Sequence, residues 1–581
     1  MFKKYLKLFS AAVLVSLFSV ANETNAQNAK IQIVHNAPLA PAVDIFAGAT
    51  KLVPNLAFRS ATAFTEVPSG VPIQVRLKVA SASNDTSNPV FFRTYTLEAG
   101  KSYYLVANGN IALPGTSYAS NPGGINTNFD ITVLTDAKET AAEAGNVELR
   151  IMHSVTDAPA VDIRVQGLPD PIVPNAAFRQ FSGYIPVPAA NYTVQIALPG
   201  SNDALLAYKA PLTGFAGSTV FVLASGYLNP ANNTANGTPG PAFGLLAVTP
   251  GGSTILLPTA VSRAQIIHNS PSAPAVDVYV NNVLTVPALA FRRATPFVDL
   301  PAGVPITVAL RVAGSEPNSA PAFSKGYTLD GDAGYHIIAN GLLSTDGFAV
   351  NPDGITRNFD LDVLTGAREA SSTAASDNNA EFRVFHGSPD APTVDVRVSN
   401  GGPTLVDNAP FRAGTPYLNV DAINYNLDIT TSDGSVVVAT YTAPLSAFAD
   451  SAILVMASGF LSPANNQVGG QNGPAFGLFA VTAKGQVIAL PAVTSIRERM
   501  IADQYLVVSP NPTTNELRIN WLDRNRASQA YIIDITGKKI MEVQNIQNGS
   551  LLYVNSLKKG IYFLNLVTTE GYQVSRKFIK E

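Results

Sequence analysis

Four stretches decide the reading: VHNAPLAPAVDIF from Val34, MHSVTDAPAVDIR from Met152, IHNSPSAPAVDVY from Ile267 and FHGSPDAPTVDVR from Phe385. Each carries one His and, nine residues on, one Asp: His35/Asp44, His153/Asp162, His268/Asp277 and His386/Asp395. A second string follows in each copy, NLAFR, NAAFR, ALAFR and NAPFR, ending at Arg59, Arg179, Arg292 and Arg412. Successive His residues are 118, 115 and 118 apart, so the chain repeats a unit of about 115 residues four times. Two subtypes alternate. Units one and three share NPGGINTNFDITVLT from Asn121 and NPDGITRNFDLDVLT from Asn351, whereas units two and four share ASGYLNPANN from Ala224 and ASGFLSPANN from Ala457. The order is A-B-A-B, as if a tandem pair had been duplicated.

Each unit reads as β-structure. VPIQVRLKVA, NYTVQIALPG, VPITVALRVA and NYNLDITTSD alternate or nearly alternate apolar and polar residues, the period of a pleated strand. YYLVANG, STVFVLASG, YHIIANG and SAILVMASG are short β-rich runs closed by Asn-Gly or Ser-Gly. Turn residues recur at a spacing typical of sandwiches and barrels, and about seven strands fit each unit. The fold class is therefore all-β: tandem immunoglobulin-like β-sandwich domains over 27–140, 146–260, 261–372 and 379–495, followed by a small C-terminal β-sandwich. A unit of this size buries its own core, so four independent sandwiches are expected. The linkers are polar and small, and the one over 367–380 is the most flexible by composition, so few contacts are expected across it.

Composition excludes whole classes. Charged residues make up 14% of the 581, with a net charge of −3, which leaves no electrostatic footprint for nucleic acid. Apolar residues at 46% are too many for a disordered chain. Cys is absent, which removes disulfides, thiol nucleophiles, Cys-type metal sites and a lipoprotein anchor. At the N-terminus, Lys3, Lys4 and Lys7 precede an apolar run from Leu8 to Val20, with small residues after it. The run is too short to span a bilayer and has the layout of a signal peptide, 1–26, cut after Ala26 or Ala21. No later stretch is apolar enough for a transmembrane span.

Residues 497–581 hold 12 basic and 8 acidic side chains, about twice the charge density of the rest, and the only Trp, Trp521. Here SPNPTTNELRI (509–519), IIDITGKKI (532–540), LKKGIYFLNL (557–566) and RKFIK (576–580) follow one another. This segment, 505–581, resembles the type A C-terminal sorting domain of the type IX secretion system of Bacteroidetes-type bacteria. Many members begin Tyr-Pro-Asn-Pro, and Ser509 stands in place of the Tyr. The matching positions are Pro510, Asn511, Pro512, Gly537, Gly560 and Tyr562. The resemblance implies type IX secretion machinery as a partner, export to the cell exterior, removal of the domain, and release or attachment to surface lipopolysaccharide. Residues 30–495 resemble, through the H-x-S-P-x-A-P-x-V-D string and the Phe-Arg segment, the bacterial domain of unknown function 4397, from which a fold is inherited but no activity.

The repeated His, Asp and Arg are the natural candidates for chemistry. With prolines at three-residue steps, as in His268, Pro271, Pro274 and Asp277, a fully extended stretch would hold His and Asp about 28 Å apart. No third ligand recurs beside them, as a zinc site requires, and no nucleophile elbow is present. No catalytic residue, metal or cofactor is expected. The Asp is expected to pair with Arg164 or Arg397 on its own strand, or with the Arg of the Phe-Arg segment, as in Asp277–Arg292, bracing strand against loop. His336, in YHIIANG, is expected on a strand surface. Asp330/Asp332 and Asp360/Asp362 are expected in a turn or on a solvated strand face. The Asn-rich loops 229–236 and 465–472 are expected to be connections, with ligand-facing tips as the alternative. The functional expectation is a secreted or surface, non-enzymatic protein for display, adhesion or binding of an extracellular protein or glycan. A carbohydrate- or cell-wall-binding protein is the alternative, and a secreted hydrolase comes last.

Overall fold

The computed structural model describes residues 28–493 apart from 82–85 and 373–377, and residues 506–581 apart from 522–526, 536–537, 545 and 569–572. The signal-peptide reading and Gly537 lie outside the described residues. Strands dominate, joined by short 3-10 turns, with no α-helix among the described residues. Two compact units are formed, one built on repeats 1 and 2 and one on repeats 3 and 4 with the C-terminal domain.

Each repeat is a sandwich of two sheets. In repeat 1 the front sheet runs Thr50–Leu56, Val43–Ala47, Pro72–Val79, Phe91–Thr96, all antiparallel. The back sheet is built on Ala29–Asn36, which pairs parallel with Ser102–Asn108, itself antiparallel to Asp130–Thr135. Repeat 3 has the same plan, with Val261–His268 parallel to Gly334–Asn340. The B repeats add one back-sheet strand, Thr254–Leu256 and Val487–Ala489.

The back sheets are apolar on both faces. Ile31, Ile33, Tyr103, Leu105 and Ala107 point into the repeat 1 core, while Val34, Tyr104, Val106 and Leu134 point out of it. The outward set meets Met152, Phe221, Leu223, Leu246 and Val248 of repeat 2 in one buried cluster. Ile267 and Ile338 of repeat 3 likewise meet Phe385, Leu454, Met456 and Val481 of repeat 4. Repeats 3 and 4 are therefore packed together, as are 1 and 2, and many contacts bridge the polar linker over 367–380. Burying one such side chain is worth about 1.5–3 kcal/mol. A linker's composition sets its stiffness in isolation and has no leverage against a seam of this kind.

Two local features lead to predictions. Beside each Asp strand, the neighbouring strand bulges at a residue with left-handed backbone: Asn55 (φ 49°), Asn175 (48°), Ala288 (49°) and Asn408 (52°). Asn tolerates this conformation better than Ala does. Ala288→Gly should stabilise repeat 3 by about 1 kcal/mol, with Ala288→Asn giving part of that, read as a rise in its calorimetric transition. In repeat 4 a small, mostly apolar cavity of about 40 Å3 lies between the sheets, lined by residues that include Val384, Val396, Val438 and Leu461. Repeat 2 has Ile151 and Ile163 where repeat 4 has Val384 and Val396. Val396→Ile should return up to about 1 kcal/mol to repeat 4, read the same way.

The C-terminal domain stacks a three-stranded sheet (Leu506–Ser509, Glu516–Trp521, Leu551–Tyr553) on a four-stranded one (Lys539–Gln544, Ala527–Asp534, Gly560–Thr568, Gln573–Lys580). Trp521, Leu564 and Phe578 lie in the core between them. Outside the four-stranded sheet, Tyr531, Ile533 and Phe563 pack on Ile423 of repeat 4, and Lys539 reaches Asp421 at 3.3 Å.

Candidate functional site

The four repeated His residues are buried and their ring nitrogens are occupied. In each, Nε2 meets the carbonyl of the Pro six residues on: Pro41 and Pro159 at 3.1 Å, Pro274 at 3.0 Å and Pro392 at 3.1 Å. Nδ1 accepts the N–H two residues on, from Ala37, Val155, Ser270 and Ser388, at 3.3–3.4 Å. An Nδ1 that accepts a backbone N–H leaves the proton on Nε2, so the ring is neutral and pins the proline loop. Burial pushes the pKa of His35, His153, His268 and His386 down, against the opposing pull of the Pro carbonyl. The loop thus turns back at once instead of running out as an extended rod.

The Asp does not pair with the Arg. Oδ1 of Asp44, Asp162, Asp277 and Asp395 accepts the N–H of the left-handed bulge residue, Asn55, Asn175, Ala288 and Asn408, at 2.7–2.8 Å. The other oxygen accepts Ser81 N at 3.1 Å in repeat 1, Gly200 N at 2.9 Å in repeat 2 and Gly314 N at 3.1 Å in repeat 3. Among the described residues, Asp44 is the one of the four that also meets a cation, Lys51 at 2.9 Å. Arg164 and Arg397 turn to the carbonyls of Pro169 and Gly434 instead. The expected Asp277–Arg292 brace is replaced by backbone donors, because the bulge brings N–H groups closer than any side chain.

The Arg side chain reaches out of its own repeat. Arg59, Arg179, Arg292 and Arg412 sit at φ 59–73°, each donating its N–H to the carbonyl of the repeated His at 2.7–2.8 Å. This left-handed turn throws the side chain across the seam. Arg59 donates to Ser225 Oγ at 3.0 Å and the Ala242 carbonyl at 2.7 Å, and Arg179 returns the contact to Asn108 Oδ1 at 3.1 Å and the Asn128 carbonyl. In the second pair Arg292 donates to Ser458 Oγ at 3.1 Å and the Ala475 carbonyl at 2.6 Å, and lies 4.2 Å from the Phe479 ring. Arg412 donates to Asp362 Oδ1 at 2.8 Å and to the Asn358 carbonyl. Two arginines thus cross each seam in opposite directions.

The A- and B-specific motifs complete the lock. Asn121 and Asn351, from the A-type NP segments, donate to carbonyls in the proline loop of the B repeat: Thr156 and Ala158, Pro389 and Ala391, at 2.8–3.1 Å. The Asn-rich B loops are neither open tips nor plain connections. Asn233 and Asn466 are fully buried. Each donates to Asp157 or Asp390 of its own repeat and accepts an N–H from the A repeat, Ala119 or Ala349, at 2.8–3.0 Å. Asp157 and Asp390 also accept two backbone N–H groups each, Leu228 and Asn229, Leu461 and Ser462. Asn233 and Asn466 lie in the Asn-rich loops and Asn121 and Asn351 open the A-type strings, whereas Asp157 and Asp390 belong to none of the candidate sets. The signal was there: Asp occurs at this loop position only in B repeats, where A repeats have Leu39 and Ser272.

Two further expectations change. His336 is 2% exposed rather than on a surface, because the sheet face it occupies is the seam. Asp362 is half of a partly buried ion pair, while Asp360, next but one, holds Lys325 at 2.9 Å on the surface. Among the described residues, no group of three or more His, Asp and Glu is arranged to hold a metal.

In the C-terminal domain, Asn511 joins the first motif to the last strand: its side chain donates to the Lys577 carbonyl at 3.1 Å and accepts Ile579 N–H at 2.9 Å. Pro510 and Pro512 flank it in cis peptides. Gly560 pairs with Lys580 on that strand, and Tyr562 stacks on Phe578 at 5.7 Å and donates to the Lys558 carbonyl. No helix among the described residues is long and apolar enough to cross a membrane.

Comparison with protein families gives the domain of unknown function DUF4397 at residues 29–164, 148–236, 262–357 and 380–467, and the secretion system C-terminal sorting domain at 507–581. No curated protein matches. Among solved structures, the TIE protein of Bacillus anthracis aligns over 84% of this chain and 73% of its own at 11% identity, with a TM-score of 0.13, too low to support any inference. The sorting domain makes this a secreted, surface-displayed protein handled by the type IX secretion machinery. Across most of its length, in four copies locked as two A-B pairs, the chain belongs to the DUF4397 family.

Proposed function

We propose that this is a non-enzymatic surface protein whose locked A-B pairs present binding surfaces at fixed spacing to an extracellular protein or glycan. What supports the reading is that every repeated polar residue, His, Asp and Arg, is spent on holding a repeat or a pair together. Repetition then serves reach and multivalency: two linked weak sites gain avidity through effective concentration. After export the sorting domain is removed, and the pairs are released or attached to surface lipopolysaccharide.

Two measurements test this. Deleting residues 506–581 should leave the protein in the periplasm, and normal surface delivery without them would refute the export route. The secreted protein should bind cells or an arrayed glycan or protein more tightly with both pairs present than with either impaired. Turnover of an ester, peptide or glycoside substrate by the secreted protein would refute the non-enzymatic reading.

A further inference from the structure

The two seams share one plan but differ at the polar position Thr132/Asp362 and at one central aromatic position. In the first pair Tyr104 stacks on Phe221 with ring centroids 4.4 Å apart. The corresponding residues of the second pair are His336 and Leu454, by alignment of YYLVAN with YHIIAN and of TVFVLAS with AILVMAS. His336 is 2% exposed and its Nδ1 has no hydrogen-bond partner. Its ring lies 5.8 Å from Phe297. From these placements we infer that His336 makes the seam between repeats 3 and 4 selectively acid-labile, so that mild acid raises the opening of the second pair well above that of the first.

The surroundings offer a protonated ring nothing. On the facing strand Asn379–His386, the cation Arg383 is committed to the carbonyls of Thr365 and Thr415. Glu381, on the same strand, is held by Arg368 and Ser372. The facing strand Ala452–Ser458 carries no charge. Within the sheet, His336 is flanked by Gln265 and Leu364. The nearby charges on those two strands are Arg263, paired with Asp299 and Glu369, and Asp362, paired with Arg412. A proton on His336 would place a second cation near Arg383 with every neighbouring carboxylate already in use.

The sign follows from linkage. Burial, and then Arg383, push the pKa of His336 down to about 3 in the closed pair. Once opened, the imidazole returns to about 6.5. The open state therefore takes up the proton first, and closure weakens as pH falls below about 6.5. At pH 4.5 the opening constant should be up to about 100-fold above its value at pH 7.5. Asp362, whose pKa burial raises in the closed pair, acts in the opposite sense and trims that factor. Glu381 and its counterpart Glu148 are both lowered, and the four loop His residues divide two and two, so those groups cancel in a comparison between seams.

Amide hydrogen exchange on the full-length chain at pH 7.5 and 4.5 tests the proposal, with the first seam as internal control. Peptides covering Ile337–Ile338 and Leu454–Met456 should lose protection relative to those covering Val106 and Phe221–Leu223 by tens of fold or more. His336→Tyr, which installs the residue of the first pair, and His336→Gln, neutral at both pH values, should each abolish the difference. If the two seams lose protection in step, or if the difference persists in either variant, the proposal is overturned. The wild-type comparison decides even where a variant fails to fold.

Discussion

Replacing Arg412 by Ala is expected to destabilise the pair of repeats 3 and 4 by about 3–5 kcal/mol, the usual result of stranding a buried charge. Arg412 and Asp362 keep only 17% and 16% of their side-chain surface exposed, at 2.8 Å. Burial raises the pKa of Asp362 even with the guanidinium beside it. Without Arg412 the carboxylate retains only the Asn340 amide at 2.9 Å. Asp362→Asn should recover much of the loss, because a neutral amide needs no counter-charge, and a double-mutant cycle should show coupling between the two sites. In the first pair the position equivalent to Asp362 is Thr132, whose hydroxyl bonds Asn108, the residue that receives Arg179. Arg179→Ala should therefore cost less, about 1–2 kcal/mol, the scale of neutral hydrogen bonds. Calorimetry on the full chain checks both: the transition of one pair should shift while that of the other stays, by roughly 2–4 °C per kcal/mol.

Asp390→Ala should be nearly as damaging, with a loss of at least about 3 kcal/mol. Its carboxylate gathers Leu461 N at 2.7 Å, Ser462 N at 2.9 Å and Asn466 Nδ2 at 2.8 Å. Truncation leaves three donors without their acceptor, each worth about 1–3 kcal/mol when buried. The effect should spread to the seam, since Asn466 also accepts the Ala349 N–H of repeat 3. Early hydrogen exchange at Ala349, outside the mutated repeat, distinguishes this from local damage. Asp390→Asn keeps one acceptor oxygen and should fall between wild type and Ala. Unchanged exchange at Ala349 in Asp390→Ala would show that the Asn-rich loop does not hold the pair.

The back-sheet runs show how a correct local reading stopped short. YYLVANG and SAILVMASG are apolar at nearly every position, whereas a strand with one solvated face alternates. Continuous apolarity already says that both faces are covered. It does not say by what, and the cover of Tyr104 and Val106 comes from Phe221 and Leu223, more than a hundred residues along the chain. The Arg of the Phe-Arg segment is a harder case. Its direction depends on a positive φ that no Arg prefers, and Arg59 meets Ser225 166 residues away. Proximity along the chain favoured an Asp–Arg brace, and the bulge's backbone donors displaced it.

By itself the sequence determined the β class, the four units, their A-B-A-B order and the C-terminal address. These are local properties: strand period, turn residues and recurring strings each act within a few residues. Only the tertiary structure decided what the alternation is for. A-type Asn351 and B-type Asp390 and Asn466 are halves of one lock, and they meaningfully meet only when two back sheets bury their outward faces together. The physical reason is that hydrophobic burial is non-directional, so a pattern can demand a partner without naming it. The crossing arginines and buried Asn–Asp contacts, which are directional, name it once the sheets are in place.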